Sequence, residues 1–322
     1  MLSLHTNSAA LSAENAISQT QMSLSTSQTR LSTGLRINSS SDDAAGLQIA
    51  TRLKAQTSGM AVAMRNTQNS ISMMQTADGA LSETSNILSR MKDLATQAAD
   101  GSASANDQTA MQSEYDSLAK QLGNIMSNTT FGGTKLLANA DSTAATGSAV
   151  GSSTGTFAAA GGVTFQIGSS SSETMTVDLT GQMSALDGAL AKTSAFYNGG
   201  NATEQGTAAT AATTNGGLGS ELIGFTGTVA NANAQIQNLS DAIDAVSTVR
   251  SSLGANENSL DHVYNNLQNI STNTQSATGR LEDTDFAAES SNMTSNQMLL
   301  QAGTAMLKQS NSISSLVISL LQ

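Results

Sequence analysis

Apolar residues recur every seven positions along most of this chain. Leu239, Val246, Leu253, Leu260 and Leu267 form one series, which passes through Thr274 and resumes at Leu281. Ile236, Ile243, Val249, Val263 and Ile270 accompany it. A sustained seven-residue repeat predicts a helix packed along a left-handed supercoiled seam. At about 1.5 Å per residue, a helix over 229–282 spans roughly 80 Å, too long for a compact globule of 322 residues. A second series runs Leu53, Met60, Thr67, Met74, Leu81, Leu88 and Ala95, with Ala63, Ala77, Met91 and Ala98 beside it. A third helix is predicted where Met111, Tyr115, Leu118, Leu122 and Ile125 alternate steps of four and three. Asp100-Gly101-Ser102 reads as the stop between the second and third helices.

Both ends carry the same repeat. Ala10, Ile17, Leu24 and Leu31 are seven apart, as are Phe286, Met293, Leu300 and Leu307. A neighbouring stripe, Leu299, Met306, Ile313 and Leu320, widens the apolar face of the C-terminal helix. No charged side chain follows Lys308, so the last turns depend on burial for their place. Two helices of this length cannot bury two wide stripes against each other alone, and exposed stripes of that size mark an interaction surface. The stripes of the long central helices, by contrast, are expected to be internal seams: Leu53, Met74, Leu81 and Leu88 against Leu239, Val246, Leu253, Leu260 and Leu267.

The middle departs from this periodicity. Residues 138–162 and 198–220 are rich in Gly, Ser, Thr and Ala and read as loops. Val163–Ile167 and Thr174–Leu179 alternate with period two, and Gly168–Glu173 joins them as a predicted hairpin. Phe131, Phe157, Phe165, Phe196, Tyr197 and Phe225 suggest a small core there. Between 141 and 225 only Lys192 opposes Asp141, Glu173, Asp178, Asp187, Glu204 and Glu221, which reads as a solvent-facing segment. The expected fold class is therefore mainly α: a long coiled-coil-like bundle made from both chain ends, folded back around a small central segment with a β-hairpin.

Composition narrows the function. The chain has no Pro, which breaks helix interiors, and no Cys, which removes disulfide, iron–sulfur and thiolate-zinc chemistry. Two His, His5 and His262, do not make a His-rich metal site. A net charge of −11 argues against nucleic acid, and no apolar run reaches the roughly 20 residues of a membrane helix. No Lys or Arg precedes Arg30, so no signal peptide is read, and export, if it occurs, is expected by a leaderless route. Phosphate-loop, dinucleotide, zinc-protease and serine-hydrolase motifs are absent from the sequence. Ser39–Asp43 and Glu282–Asp285 precede predicted helices and read as caps rather than as acid–base pairs. Neither a catalytic site nor a metal or other cofactor is expected.

The stretch RLSTGLRINSSSDDAAGLQIATRLK, Arg30 to Lys54, resembles the signature of bacterial flagellins. ILSRMKDLATQAADG (Ile87–Gly101), FGGTKLL (Phe131–Leu137), SLGANENSL (Ser252–Leu260), SATGRLEDTDFAAE (Ser276–Glu289) and QMLLQAGTAMLKQSN (Gln297–Asn311) are similar to motifs of the same family, in order. The resemblance covers about 1–137 and 229–322. It implies an inner D0 layer of two helices, 1–42 and 283–322, and a D1 layer formed by 43–179, with 138–162 as a loop insertion, together with 227–282. A small variable surface segment is left at 180–226.

The resemblance further implies a structural subunit of the extracellular flagellar filament. It would be exported unfolded by the flagellar type III apparatus and would polymerise with itself, without nucleic acid or membrane insertion. Self-assembly would rest on Ile17, Leu24, Leu31, Phe286, Met293, Leu299, Leu300, Met306, Leu307, Ile313 and Leu320. Implied partners are an export chaperone at the C-terminal helix, the filament cap and the hook–filament junction proteins. Host innate immune receptors are implied too, through Arg90, Leu94 and Glu114, and through 29–50 for plant receptors. The alternatives are a junction protein sharing such ends, a secreted coiled-coil effector or adhesin, and an enzymatic insert in 138–226.

Overall fold

The computed structural model describes residues 7–137, 155–159, 161–194, 222 and 230–320, with side chains from 232 to 312 in the last stretch. In chain order the elements are α1 (Ser8–Thr33), α2 (Ala44–Ala98), α3 (Ala105–Asn128), β1 (Thr130–Phe131) and β2 (Thr134–Lys135). A 3₁₀ turn at Thr156–Ala158 is followed by β3 (Val163–Gln166), β4 (Thr174–Val177), α4 (Thr180–Thr193), α5 (Ala230–Glu282) and α6 (Phe286–Leu320). The five helices expected from periodicity are present, and the helix stop falls at 99–104 as read. The chain divides into two compact units, one made by the chain up to Ser58 and from Ile270 onward, the other by Gly59–Asn269.

In the unit Gly59–Asn269 the heptad series become the core. Met60, Thr67, Met74, Leu81, Leu88 and Ala95 on α2 are all buried, as are Leu239, Val246, Leu253, Leu260 and Leu267 on α5. Helix α3 adds Tyr115, Ala119, Leu122 and Met126. Its start is fixed by a capping box, in which the Ser104 side chain accepts from the Asp107 amide and the Asp107 carboxylate accepts from the Ser104 backbone. Across α2 and α5, Arg250 Nε donates to Asp78 at 2.8 Å and Gln75 donates to Glu257. These polar ties set two long helices side by side in one alignment.

The hairpin forms as read: β3 and β4 pair antiparallel, Val163 opposite Val177 and Gln166 opposite Thr174. Three features of the middle depart from the sequence reading. First, β1 and β2 form a second, smaller hairpin around Gly132 and Gly133. Both glycines take positive φ (58° and 85°), as a two-residue hairpin turn requires. Second, 180–193 is not a surface segment. It is helix α4, and Leu179, Met183, Leu186 and Leu190 are completely buried, while Asp178 and Lys192 stay exposed. The exposed acidic groups Glu173 and Asp178 lie in the hairpin and just before the helix, while one side of α4 itself belongs to the core. Third, within the expected loop 138–162, Phe157 is 1% exposed and packs in the same core. Residues 138–154, Phe196, Tyr197, Phe225 and all of 198–220 lie outside the described residues.

In the other unit α1 packs along α6. Asn7 caps α1 by accepting from the Ala10 amide, and Gly34 closes it in a left-handed turn. The links 34–43 and 283–285 are laced together: Thr284 N donates to Gly34 O at 3.0 Å, Arg36 N donates to Glu282 O, and the Arg36 guanidinium donates to Leu281 O at 2.9 Å. Asp43 caps α2 through the Gly46 amide, and Asp285 caps α6 through the Ala287 and Ala288 amides. Asp42 accepts from the Asn38 and Ser39 amides, which hold its carboxyl below its ordinary value. The Asp43 and Asp285 bonds are capping roles read from sequence, whereas Asp42 folds the link before α2.

Throughout the helices Thr and Ser hydroxyls bond back to the carbonyl four residues earlier. Thr20, Thr26, Thr67, Thr84, Ser89, Thr248 and Thr278 all do so, at 2.8–3.0 Å. This satisfies a hydroxyl without an external partner and lets Thr67 and Thr84 sit fully buried in an apolar seam.

Candidate functional site

The chemistry-bearing clusters are few. No group of three His, Cys, Asp or Glu able to hold a metal occurs among the described residues. No described helix is long and apolar enough to cross a membrane. The groove between α1 and α6, about 320 Å³, is lined by polar side chains, including Ser23, Ser27, Arg30, Glu289, Asn292 and Asn296. Two buried carboxylates lie in this unit. Glu282 meets Lys54 Nζ at 2.6 Å, and Glu289 faces Arg30 at 4.0 Å.

The notable surface is apolar. Among the described residues nine large hydrophobic side chains are exposed, and eight of them belong to the unit containing α1 and α6. On α6, Met298, Leu299 and Met306 are 56–67% exposed, and Phe286 is 57% exposed at its start. On α1, Leu11 and Met22 are exposed to a similar degree. The neighbouring stripe behaves differently. Ile17, Leu24 and Leu31 on α1 and Met293, Leu300 and Leu307 on α6 are half-buried. So on α6 Met293, Leu300 and Leu307 are partly covered beside α1, whereas Phe286 at the head of that stripe and Leu299 and Met306 of the other face solvent. The side chains of Ile313 and Leu320 lie outside the described residues. Sequence reading did not single out Leu11, Met22 and Met298, which belong to no heptad series.

The central-seam residues are placed in the core: Met74, Leu81, Leu88, Leu239, Val246 and Leu260 are 0% exposed, Leu253 1% and Leu267 7%, while Leu53 is half-buried. Arg90 and Glu114 come together on the surface, with Arg90 Nε donating at 2.9 Å and Nη2 at 2.7 Å to one Glu114 oxygen. Leu94, expected beside them as a contact residue, is 2% exposed. It packs inward among the α2 core residues and is not part of that surface.

Residues 4–142 match the model of the bacterial flagellin N-terminal helical region, and residues 236–321 match that of the C-terminal helical region. Flagellin A of Vibrio anguillarum is 35% identical, with all of both chains covered. This chain belongs to the bacterial flagellin family. Flagellin A of Vibrio cholerae serotype O1 is 34% identical, again over 100% of each chain. The solved Bacillus cereus flagellin aligns with a TM-score of 0.42 at 27% identity, covering 63% of this chain and 88% of that one. As a flagellin it is a structural subunit of the extracellular flagellar filament. The junction-protein, adhesin and effector readings are not favoured by these full-length matches.

Proposed function

We propose that the exposed stripe of this flagellin, Leu299 and Met306 with Phe286, Met298, Leu11 and Met22, is the surface on which further copies of the chain pack during polymerisation. The supporting observation is its position directly beside a stripe already occupied by α1. Fully burying one such side chain is worth about 1.5–3 kcal/mol, which an isolated subunit cannot collect. Assembly supplies that order by mass action, and a heterologous contact that does not close on itself builds an open helical tube. In this reading 1–42 and 283–322 form the inner layer of the filament, and 43–179 and 227–282 form a second layer, to which 180–193 also belongs.

The subunit works by packing, not by catalysis. It travels unfolded through the flagellar type III apparatus, and the absence of Cys leaves no disulfide to form before arrival. An export chaperone covers the C-terminal helix, the junction proteins and the cap bound the filament, and host innate immune receptors read the Arg90–Glu114 surface. The test is sedimentation of Leu299→Gln/Met306→Gln. We expect the soluble subunit concentration at equilibrium to rise at least tenfold while the helical circular-dichroism signal of the monomer is retained. Filaments at the unsubstituted threshold would overturn the proposal.

A further inference from the structure

The α1–α6 seam repeats every seven residues on both helices, so its apolar side chains alone do not choose between neighbouring alignments. Four contacts mark the alignment observed. Asn7 Nδ2 donates to Ser310 Oγ at 3.1 Å. Gly303 lies against Ile17, and a Cβ added at 303 would stand 2.8 Å from Ile17 Cγ1. Arg30 faces Glu289, and Thr284 bonds Gly34. Counting from these, Ile17, Leu24 and Leu31 lie level with 300–303, 293–296 and 286–289, the turns that begin at Leu300, Met293 and Phe286.

Sliding α1 by one heptad, roughly 10 Å, sets the same three residues level with the turns that begin at Leu307, Leu300 and Met293. Three apolar pairs survive. The ten-residue link 34–43 reaches up to about 33 Å when extended, so it has the slack for such a slide. What does not survive is specific. Ser310 would come under Ile17, where a Cβ approaches to 2.8 Å unless the Ile17 side chain shifts. Arg30 would face Asn296, leaving Glu289, 8% exposed, without its cation. A buried charge left without its partner is strongly unfavourable.

We propose that Gly303 and the Arg30–Glu289 pair are positioning residues that lock α1 and α6 into one register. They thereby fix which arrangement of the exposed stripe each subunit offers its neighbours. Only this last step rests on the self-packing proposal above. The register itself stands on the contacts within one chain.

The chain contains no Cys, so engineered pairs report the register without background. In oxidised filaments, Asn7→Cys/Ser310→Cys should close an intramolecular disulfide. Glu14→Cys/Ser310→Cys should not, because a one-heptad offset exceeds the roughly 7 Å Cα reach of a disulfide. Adding Gly303→Leu should lower the yield of the Asn7–Ser310 bond at least tenfold, since any side chain at 303 is driven against Ile17. Adding Ile17→Ala to Gly303→Leu should restore the Asn7–Ser310 bond by making room. If Gly303→Leu abolishes filaments, the same Ile17→Ala companion decides. Filaments returning with the Asn7–Ser310 bond support the lock, and their failure to return overturns it. An unchanged Asn7–Ser310 bond in Gly303→Leu filaments would also overturn it, leaving the lacing of the two links to set the register. Arg30→Glu should lower the yield of the Asn7–Ser310 bond, and Glu289→Arg should recover it. No loss with Arg30→Glu would remove the ion pair from the lock.

Discussion

The two units of this flagellin start from one sequence pattern and end in different states. In Gly59–Asn269 the heptad side chains of α2 and α5 are covered on every side, because α3, α4, the 3₁₀ turn and the β3–β4 hairpin supply further walls. On α1 and α6 the same spacing has only one partner helix to face, and six large apolar side chains among the described residues there stay exposed. The difference teaches that a heptad repeat specifies a seam but not how many seams. The number of neighbours within the chain decides whether a stripe is a core or an interface.

The sharpest way to break this comparison is a matched pair of truncations. Leu88→Ala, at a position with 0% exposure, should destabilise the Gly59–Asn269 unit by about 2–5 kcal/mol. Leu299→Ala should stay within about 0.5 kcal/mol in the monomer yet raise the concentration needed to polymerise. Denaturant unfolding followed by sedimentation reads both, and equal unfolding effects would erase the distinction.

Next in size is Tyr115→Phe. The Tyr115 hydroxyl donates at 2.6 Å to the carbonyl of Thr193 and ties the end of α4 to α3. Losing that donor in a buried site should cost about 1–3 kcal/mol, measured by thermal unfolding. Ser104→Ala removes the cap of α3 and should cost about 1 kcal/mol in the same assay.

Acid sharpens the point about caps. Bonds from the Ser104 hydroxyl and amide hold the Asp107 carboxyl below its ordinary 3.8, and Asp42 is lowered by the Asn38 and Ser39 amides. A depressed carboxylate contributes stability that is complete above the unfolded value and is lost as pH falls through the folded one. The part of the acid loss due to Asp107, below pH 3.8, should therefore be missing in Asp107→Asn, followed by circular dichroism during acid titration. The smallest effect is expected for Arg90→Ala. The pair with Glu114 is about half exposed on each side and should contribute only about 0.2–1 kcal/mol. A receptor reporter assay, not stability, is where that substitution should register.

How much was legible follows from the same geometry. The long helices could be read because nothing interrupts their repeat over many turns and no Pro occurs. Helix α4 carries a readable signal, Leu179, Met183, Leu186 and Leu190 in steps of four, three and four. It is short, holds Gly181 and Gly188, and sits in Gly- and Ser-rich surroundings that suggested a surface segment. The β1–β2 hairpin is only two residues per strand, below the length at which alternation can be seen. At the candidate interface, sequence supplied both stripes of α6. It could not say which would meet α1, because Leu299 and Leu300 are the same residue type one position apart. The deciding contacts, Gly303 under Ile17 and Asn7 on Ser310, join residues nearly 300 positions apart or lie in helix interiors where no local motif marks them.

The hydroxyls that bond back along the helices have a consequence for crowding. A surface coated with Lys and Glu keeps its neighbours at a distance, since each ion must shed water or find a counter-charge before contact. Thr20, Thr26 and Ser89 present methyl and methylene groups whose only polar atom is already engaged by their own helix. Walls made this way can approach closely with little water to strip and no like charges to oppose. That suits a tube in which every molecule is hemmed in by others of its own kind.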